Sequence, residues 1–412
     1  MTTVKTLEVN IVAENKISQR KLLGIAGLGW MFDALDVGML SFIIAALKTD
    51  WGLTPEQMGW IGSVNSIGMA VGALLFGLWA DKIGRKNIFI ITLLLFSLGS
   101  GLSALTTTLF AFLVLRFFVG MGLGGELPVA STLVSESVSA KERGRVVVLL
   151  ESFWAFGWLI AALISYFVIP SFGWKVALIL SAIPAFYAIY LRLNLPDSPA
   201  FSPKKAEKRS IAQNVREVWS KKYARSTFVL WIVWFTVVFS YYGMFLWLPS
   251  VMVMKGFSMI QSFEYVLIMT LAQLPGYFSA AWLIERMGRK FVLVTYLLGT
   301  AGSALVFGQA ETTAVLIVSG IFLSFFNLGA WGALYAYTPE QYPAVIRGTG
   351  AGMAASIGRV GGILGPLLVG SLVAAGNSIG FIFALFCASI VVGVIVLAFL
   401  GKETRQIELT YE

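Results

Sequence analysis

Asp81-Lys82-Ile83-Gly84-Arg85-Lys86 returns 204 positions later as Glu285-Arg286-Met287-Gly288-Arg289-Lys290. An acid, a glycine and a basic pair keep their places in both copies. A second pair of segments, Glu136 through Arg143-Gly144 and Glu340 through Arg347-Gly348, shares the offset of 204. A third, Val37-Gly38-Met39-Leu40 against Tyr242-Gly243-Met244-Phe245, is offset by 205, as one small insertion would produce. Three matches at one spacing make the chain an internal duplication, and each charged segment follows a long apolar run.

Those runs lie near 22–47, 57–80, 87–106, 109–135, 146–169, 174–193, 226–250, 262–284, 291–310, 313–338, 348–374 and 378–400. Each reaches or approaches the ~20 residues that cross the hydrocarbon core. Only 12% of the 412 residues are charged and 58% are hydrophobic, against about a quarter charged in a soluble domain. Lipid must therefore cover much of the surface. All but five of the 30 Lys and Arg fall on one side of this topology; Lys48, Lys175 and Lys255 face the other side, and Arg116 and Arg359 lie within spans. The positive-inside rule puts both termini in the cytoplasm. The net charge of +9 thus reads as membrane orientation, with no nucleic-acid partner. The first 21 residues are polar and the run after them is too long for a signal h-region, so no cleavable signal is expected.

The predicted fold is an all-α membrane protein of twelve transmembrane helices in two parallel-repeat six-helix bundles. Its divisions are a cytoplasmic segment 1–21, a first bundle 22–193, a linker 194–225, a second bundle 226–400 and a tail 401–412. In the linker, Ile211, Val215, Val218 and Trp219 share one helical face, which suits a short helix on the inner membrane surface or a solvated connection. Parallel repeats of this kind place a substrate site between the halves near the midplane. The single Cys387 excludes a disulfide scaffold and a thiolate cluster. With no histidine in the chain, protons would ride on carboxylates. No nucleophile–base set or metal cluster points to an enzyme, and no cofactor is called for.

Several stretches resemble the major facilitator superfamily. Gly77-Leu78-Trp79-Ala80-Asp81-Lys82-Ile83-Gly84-Arg85-Lys86 is similar to its loop signature, and Arg116-Phe117-Phe118-Val119-Gly120-Met121-Gly122-Leu123-Gly124 to its fourth-span motif. Pro196-Asp197-Ser198-Pro199 resembles the close of the sixth span in sugar-porter-like members. Phe32-Asp33-Ala34-Leu35-Asp36 and Gly124-Gly125-Glu126-Leu127-Pro128 resemble the bacterial niacin (nicotinate) transporters, close to aromatic-acid:proton symporters and the synaptic-vesicle-protein branch. The seventh span carries no paired glutamines, which argues against a sugar, and the fifth lacks the Gly-Pro antiporter signature, which argues against drug efflux. The resemblance implies a multi-pass carrier in a bacterial cytoplasmic membrane, expected to be a monomer, importing nicotinate or a related aromatic carboxylate by alternating access with protons. An exporter or broad organic-ion carrier, or a non-transporting ligand sensor, remains open on the same fold.

Charges inside the membrane cost at least ~2.5–3.5 kcal/mol, so each needs a reason. Asp33 and Asp36, spaced i and i+3, share a face of the first span and are candidates for the coupling proton. Arg359 lies about 11 residues, or roughly 16 Å, into its span. It is either a clamp for a substrate carboxylate or the permanent partner of an acid such as Asp36. Arg116 needs an acidic partner, and by resemblance couples proton and substrate movement. Glu126 joins the proton-coupling candidates; Glu126 and Glu151 also suit a proton exit or gate network with Arg143 and Arg145, or purely structural roles. Trp30, Phe32, Trp234, Tyr241, Tyr242 and Trp331 could sandwich a flat ring, with Asn327 and Gln273 as hydrogen-bond partners for a ring nitrogen. At the inner face Asp81 suits a helix cap. With Arg85, Glu136, Arg143, Glu285, Arg289, Glu340 and Arg347 it makes a gating set whose salt bridges form in one state and break in the other.

Overall fold

The computed structural model describes residues 19–83, 85–136, 142–193 and 211–405. Its helices are α1 (Gln19–Trp51), α2 (Pro55–Ile83), α3 (Arg85–Ser103), α4 (Leu109–Glu136), α5 (Arg143–Phe172) and α6 (Trp174–Leu193) in the first half. The short α7 (Ile211–Val218) precedes α8 (Ala224–Phe245), α9 (Leu248–Met254), α10 (Met259–Leu271), α11 (Gln273–Met287), α12 (Arg289–Gln309), α13 (Thr313–Tyr337), α14 (Ala344–Ala374) and α15 (Ile379–Leu400). There is no strand among the described residues. In hydrocarbon every backbone N–H and C=O must be satisfied within the segment, which leaves the helix as the solution for apolar runs of this length. Nine of these segments are long and apolar enough to cross a membrane; three shorter apolar helices, Ile90–Ser103, Leu109–Gly124 and Trp174–Ile183, complete twelve.

The duplication is visible in the helix bounds. Shifting α2 by 204 gives 259–287, the span of α10 and α11 together. Under the same shift α5 falls on α14 and α3 on the start of α12. The contacts between halves obey the same exchange: α2 packs on α14, and its counterpart α10–α11 packs on α5.

The seventh and eighth spans were expected as continuous helices, and each is broken. Pro249 and Pro275 explain where. A proline has no N–H to give and its ring clashes with the carbonyl four residues back. Those positions are Phe245 and Leu271, where α8 and α10 end. Pro170 and Pro366 are carried inside α5 and α14 without such a break.

Within each half, close approach depends on small residues. A Cβ on Gly120 of α4 would lie 2.1 Å from the Asn65 carbonyl, and one on Gly124 would lie 1.9 Å from that of Met69. The linker helix α7 forms as a helix, buries Val218 and packs on α14, and the Trp219 ring meets Trp231 edge-on at 4.9 Å.

Candidate functional site

Where the halves meet, aromatic rings from five helices form a continuous cage. Trp30 of α1 lies 6.0 Å from Trp154 of α5 and 5.7 Å from Tyr335 of α13. Trp154 stacks on Trp331 across the two halves, 6.2 Å apart and 23° from parallel. Tyr241 of α8 is 4.7 Å from Trp331, and its hydroxyl accepts a 2.7 Å hydrogen bond from Trp154 Nε1. Trp158 and Tyr277 add to the wall from α5 and α11. Trp234 joins through Tyr335 at 5.0 Å, while its indole donates to Thr338 Oγ1 at 2.8 Å. The sequence-expected Phe32 is buried in the apolar core without a ring contact to this cage among the described residues.

Polar atoms around the cage are buried and lack hydrogen-bond partners: Trp30 Nε1, Trp331 Nε1, the Tyr242 and Tyr277 hydroxyls, and both amide heads of Gln273 and Asn327. Native interiors leave few such groups, and each calls for an explanation. Gln273 opens α11 directly after the break at Ala272 and is fully buried.

The charged residues divide by role. Asp36 does not meet Arg359. It is held by Arg116 through Nη1 at 3.2 Å and through a shorter contact from Nη2, and Ser100 Oγ donates to it at 3.0 Å. Arg116 also reaches Asn65 Oδ1 at 3.3 Å, and the pair is almost fully buried. The geometry therefore selects Arg116, one of the two arginines within spans, as the counter-ion. Asp33 lies in electrostatic range of Tyr242. Arg359, half-buried on α14, contacts Met69 Sδ of the opposite half at 3.5 Å and lies in electrostatic range of Tyr242 and Tyr335.

Glu151 corrects an expectation. Its expected place is a proton exit or gate network with Arg143 and Arg145, or a purely structural role. It instead enters the cage, fully buried, facing the indole N–H groups of Trp30 and Trp331 short of hydrogen-bond geometry, with neither carboxylate oxygen bonded. Trp154, Trp158, Tyr277 and Tyr335 were also missed. The signal was present: Glu151, Trp154 and Trp158 sit at i, i+3 and i+7, one face of a helix, and Tyr335 is one turn beyond Trp331.

At the end of the bundles that carries the charged loops, the second copy of the loop motif performs the capping expected of the first. Glu285 Oε1 accepts the Arg145 backbone N–H at 3.0 Å, at the first turn of α5 in the opposite half. Arg289 binds Glu285 at 2.6 Å and Glu340 at 3.0 Å. Gly288 takes φ 100° between α11 and α12, a conformation glycine adopts without strain. Behind it Glu403 accepts from the backbone N–H groups of Arg289 and Lys290 at 2.8 and 3.0 Å, and Thr404 Oγ1 donates to Glu340 at 2.7 Å. Arg347 Nε donates to the Pro339 carbonyl at 3.2 Å. The side chains of Asp81, Arg85, Glu126, Glu136 and Arg143, and the segment Pro196-Asp197-Ser198-Pro199, lie outside the described residues.

A buried cage between two pseudo-equivalent bundles, with a hydrogen bond from the Arg145 backbone N–H to Glu285 joining the bundles at one end, is the layout of a carrier for a small molecule. Comparison with known proteins agrees. The chain is 69% identical over 396 residues to NiaP of Bacillus subtilis (strain 168), provisionally named a niacin/nicotinamide transporter, covering 96% of this chain and 99% of that one. It is 48% identical over 412 residues to the niacin transporter NiaP of Acinetobacter baylyi (strain ATCC 33305 / BD413 / ADP1), covering 93% and 94%. Its fold matches the crystal structure of a D-xylose-proton symporter with a TM-score of 0.77 at 19% identity, over 94% of this chain and 99% of that one. The family model of the Major Facilitator Superfamily matches residues 26–276 and 265–410, and the chain, a multi-pass membrane transporter and not an enzyme, belongs to that family.

Proposed function

We propose that this transporter imports nicotinate, or a closely related aromatic monocarboxylate, by alternating access coupled to protons. The carrying observation is the aromatic cage between the halves with its unpartnered buried polar atoms and Arg359 beside it. Trp154 and Trp331 already lie nearly parallel, and parting by the thickness of a ring would admit a flat substrate between them. The Arg359 guanidinium offers a carboxylate two parallel hydrogen bonds. Gln273, Asn327, Trp30 and Tyr242 supply further polar contacts, with Tyr241 and Trp234 shaping the walls. The names of the Bacillus and Acinetobacter relatives supply the same chemistry.

Coupling is assigned to Asp36 and Arg116, with Asp33 beside them. A proton on Asp36 cancels the charge that holds Arg116, and in a low-dielectric interior an arginine without its counter-ion is strongly penalised. Protonation therefore alters how α1 and α4 pack, and α1 carries Trp30 of the cage. The Glu285–Arg289–Glu340 cluster holds the inner end shut until the bundles rock apart.

Uptake of labelled nicotinate into proteoliposomes under an inward proton gradient tests the whole reading. Gradient-driven accumulation that unlabelled nicotinate suppresses and glucose does not is the expected result. Nicotinamide, with no anionic group for Arg359, should compete weakly. Absence of accumulation by folded protein in either orientation would remove the nicotinate assignment.

A further inference from the structure

The acid on α5 has no part in the scheme above. Glu151 is 0% exposed, and among the described residues no lysine or arginine is hydrogen-bonded to it. Two indole N–H groups, from Trp30 and Trp331, and two hydroxyls, from Tyr277 and Tyr335, surround it. The helices packed on α5 bring few charges near it. Asp36 of α1 and Arg116 of α4 hold each other, and Asp33 faces Tyr242. Glu285 of α11 is occupied at the inner end with Arg145 and Arg289. Lys175 of α6 and Glu264 of α10 lie toward the outer ends of their helices.

An ionised carboxylate in such surroundings is strongly unfavourable. A neutral carboxyl fits better, with one oxygen free to accept and one O–H to donate. The indoles can only donate, so they serve the accepting oxygen. The O–H then needs an acceptor; the Tyr277 and Tyr335 hydroxyls lie in electrostatic range, but neither is hydrogen-bonded to it among the described residues. Tyr335 is in electrostatic range of both Arg359 and Glu151. The cage is thus bordered by a cation and a buried carboxyl among aromatic faces.

We propose that Glu151, in its protonated form, donates a hydrogen bond to the ring nitrogen of the substrate and so selects a pyridine carboxylate over a benzene carboxylate. This rests on the cage being the substrate site. With the carboxylate of a flat ring held at Arg359, the ring edge that carries the in-plane nitrogen, meta to the carboxylate, turns to Glu151 and supplies the acceptor the O–H lacks. Loss of the proton removes the donor, so nicotinate binding weakens as pH rises through the ionisation of Glu151. Benzoate, with a C–H at that edge, has no such bond to lose.

The test is the dissociation constant of nicotinate and of benzoate, by calorimetry on purified transporter across a range of pH. Wild-type protein should prefer nicotinate by about tenfold or more, the worth of a buried hydrogen bond. Glu151→Leu should abolish that preference by weakening nicotinate alone. Glu151→Gln, whose amide can donate, should keep the preference and flatten its pH dependence. Equal weakening of both acids in Glu151→Leu, or a preference that survives there, would overturn the proposal. Should Glu151→Leu fail to fold, an unaltered pH profile in Glu151→Gln overturns it alone. Equal wild-type affinity for the two acids refutes the role of Glu151 and leaves the cage reading standing; binding of neither removes both.

Discussion

Two arginines lie within the spans, and their surroundings set different expectations for replacing them. Arg116 is committed to Asp36 inside the first half. Asp36→Asn leaves that guanidinium buried without its charge partner, a change that costs about 3–5 kcal/mol when one member of a buried pair is removed. The variant should melt at a clearly lower temperature and lose gradient-driven accumulation, while counterflow exchange of nicotinate across vesicles persists. Accumulation at the wild-type level would refute the coupling role. Arg359 sits by the cage with no carboxylate hydrogen-bonded to it among the described residues. Arg359→Lys keeps the charge but replaces a planar fork with a point donor. The KM for nicotinate should rise about tenfold, the worth of one charge-assisted bond, with kcat little changed. An unchanged KM would exclude the clamp. The sequence identified both arginines and both aspartates as exceptions in apolar runs, because a charge in hydrocarbon stands out by cost alone. Their pairing was not legible, since i, i+3 spacing places Asp33 and Asp36 on one helix face without saying which helix covers each. Glu151 was read by its distance from the inner loop, and the tryptophans one and two turns along its face carried the information that distance did not.

Among the elements, α2 and α4 give the sharpest case of packing dictated by residue size. Gly68 and Gly72 of α2 face the Phe117 and Met121 carbonyls, and Gly120 and Gly124 of α4 face those of Asn65 and Met69, so the two backbones touch along two turns from both sides. A methyl group at Gly124 would meet main chain, which cannot swing aside as a side chain can. Gly124→Ala should therefore cut the yield of monodisperse transporter in size-exclusion chromatography severalfold. Gly101→Ala, where a Cβ meets nothing within 4 Å, should leave it unaltered. Equal yields would show that the helices can separate without penalty. The spans themselves were readable from hydropathy, and the shared offset of 204 gave the order in which they pair. The breaks in the seventh and eighth spans were missed because a hydropathy window averages over proline. Pro249 and Pro275 nonetheless marked both places in the sequence, four residues beyond the last intact carbonyl.

For the whole molecule, the Glu285–Arg289–Glu340 cluster matters because it joins the two bundles through the Arg145 backbone N–H. Glu285 grips the start of α5 across the interface while Arg289 and Glu340 hold it in position. Glu285→Gln weakens that grip, and a loss of about 1.4 kcal/mol moves a two-state balance tenfold. Pulsed electron resonance between spin labels at Arg145 and Met287, both solvent-facing positions, in a Cys387→Ser background should show a longer inner-end distance become populated. A distribution identical to that of the unaltered cluster would deny it any control of the rocking. The repeated acids were visible in the sequence as gate candidates. That the cluster draws in Glu403 and Thr404 was not, because neither belongs to a repeated motif. Those two residues follow the twelfth span, and their bonds reach Arg289 and Glu340 at the core of the cluster. A ribosome adds them only after every helix of both bundles has been made. The nascent protein must therefore pass through membrane insertion with this cluster incomplete, and side chains made after the twelfth span fasten it once both bundles are in place.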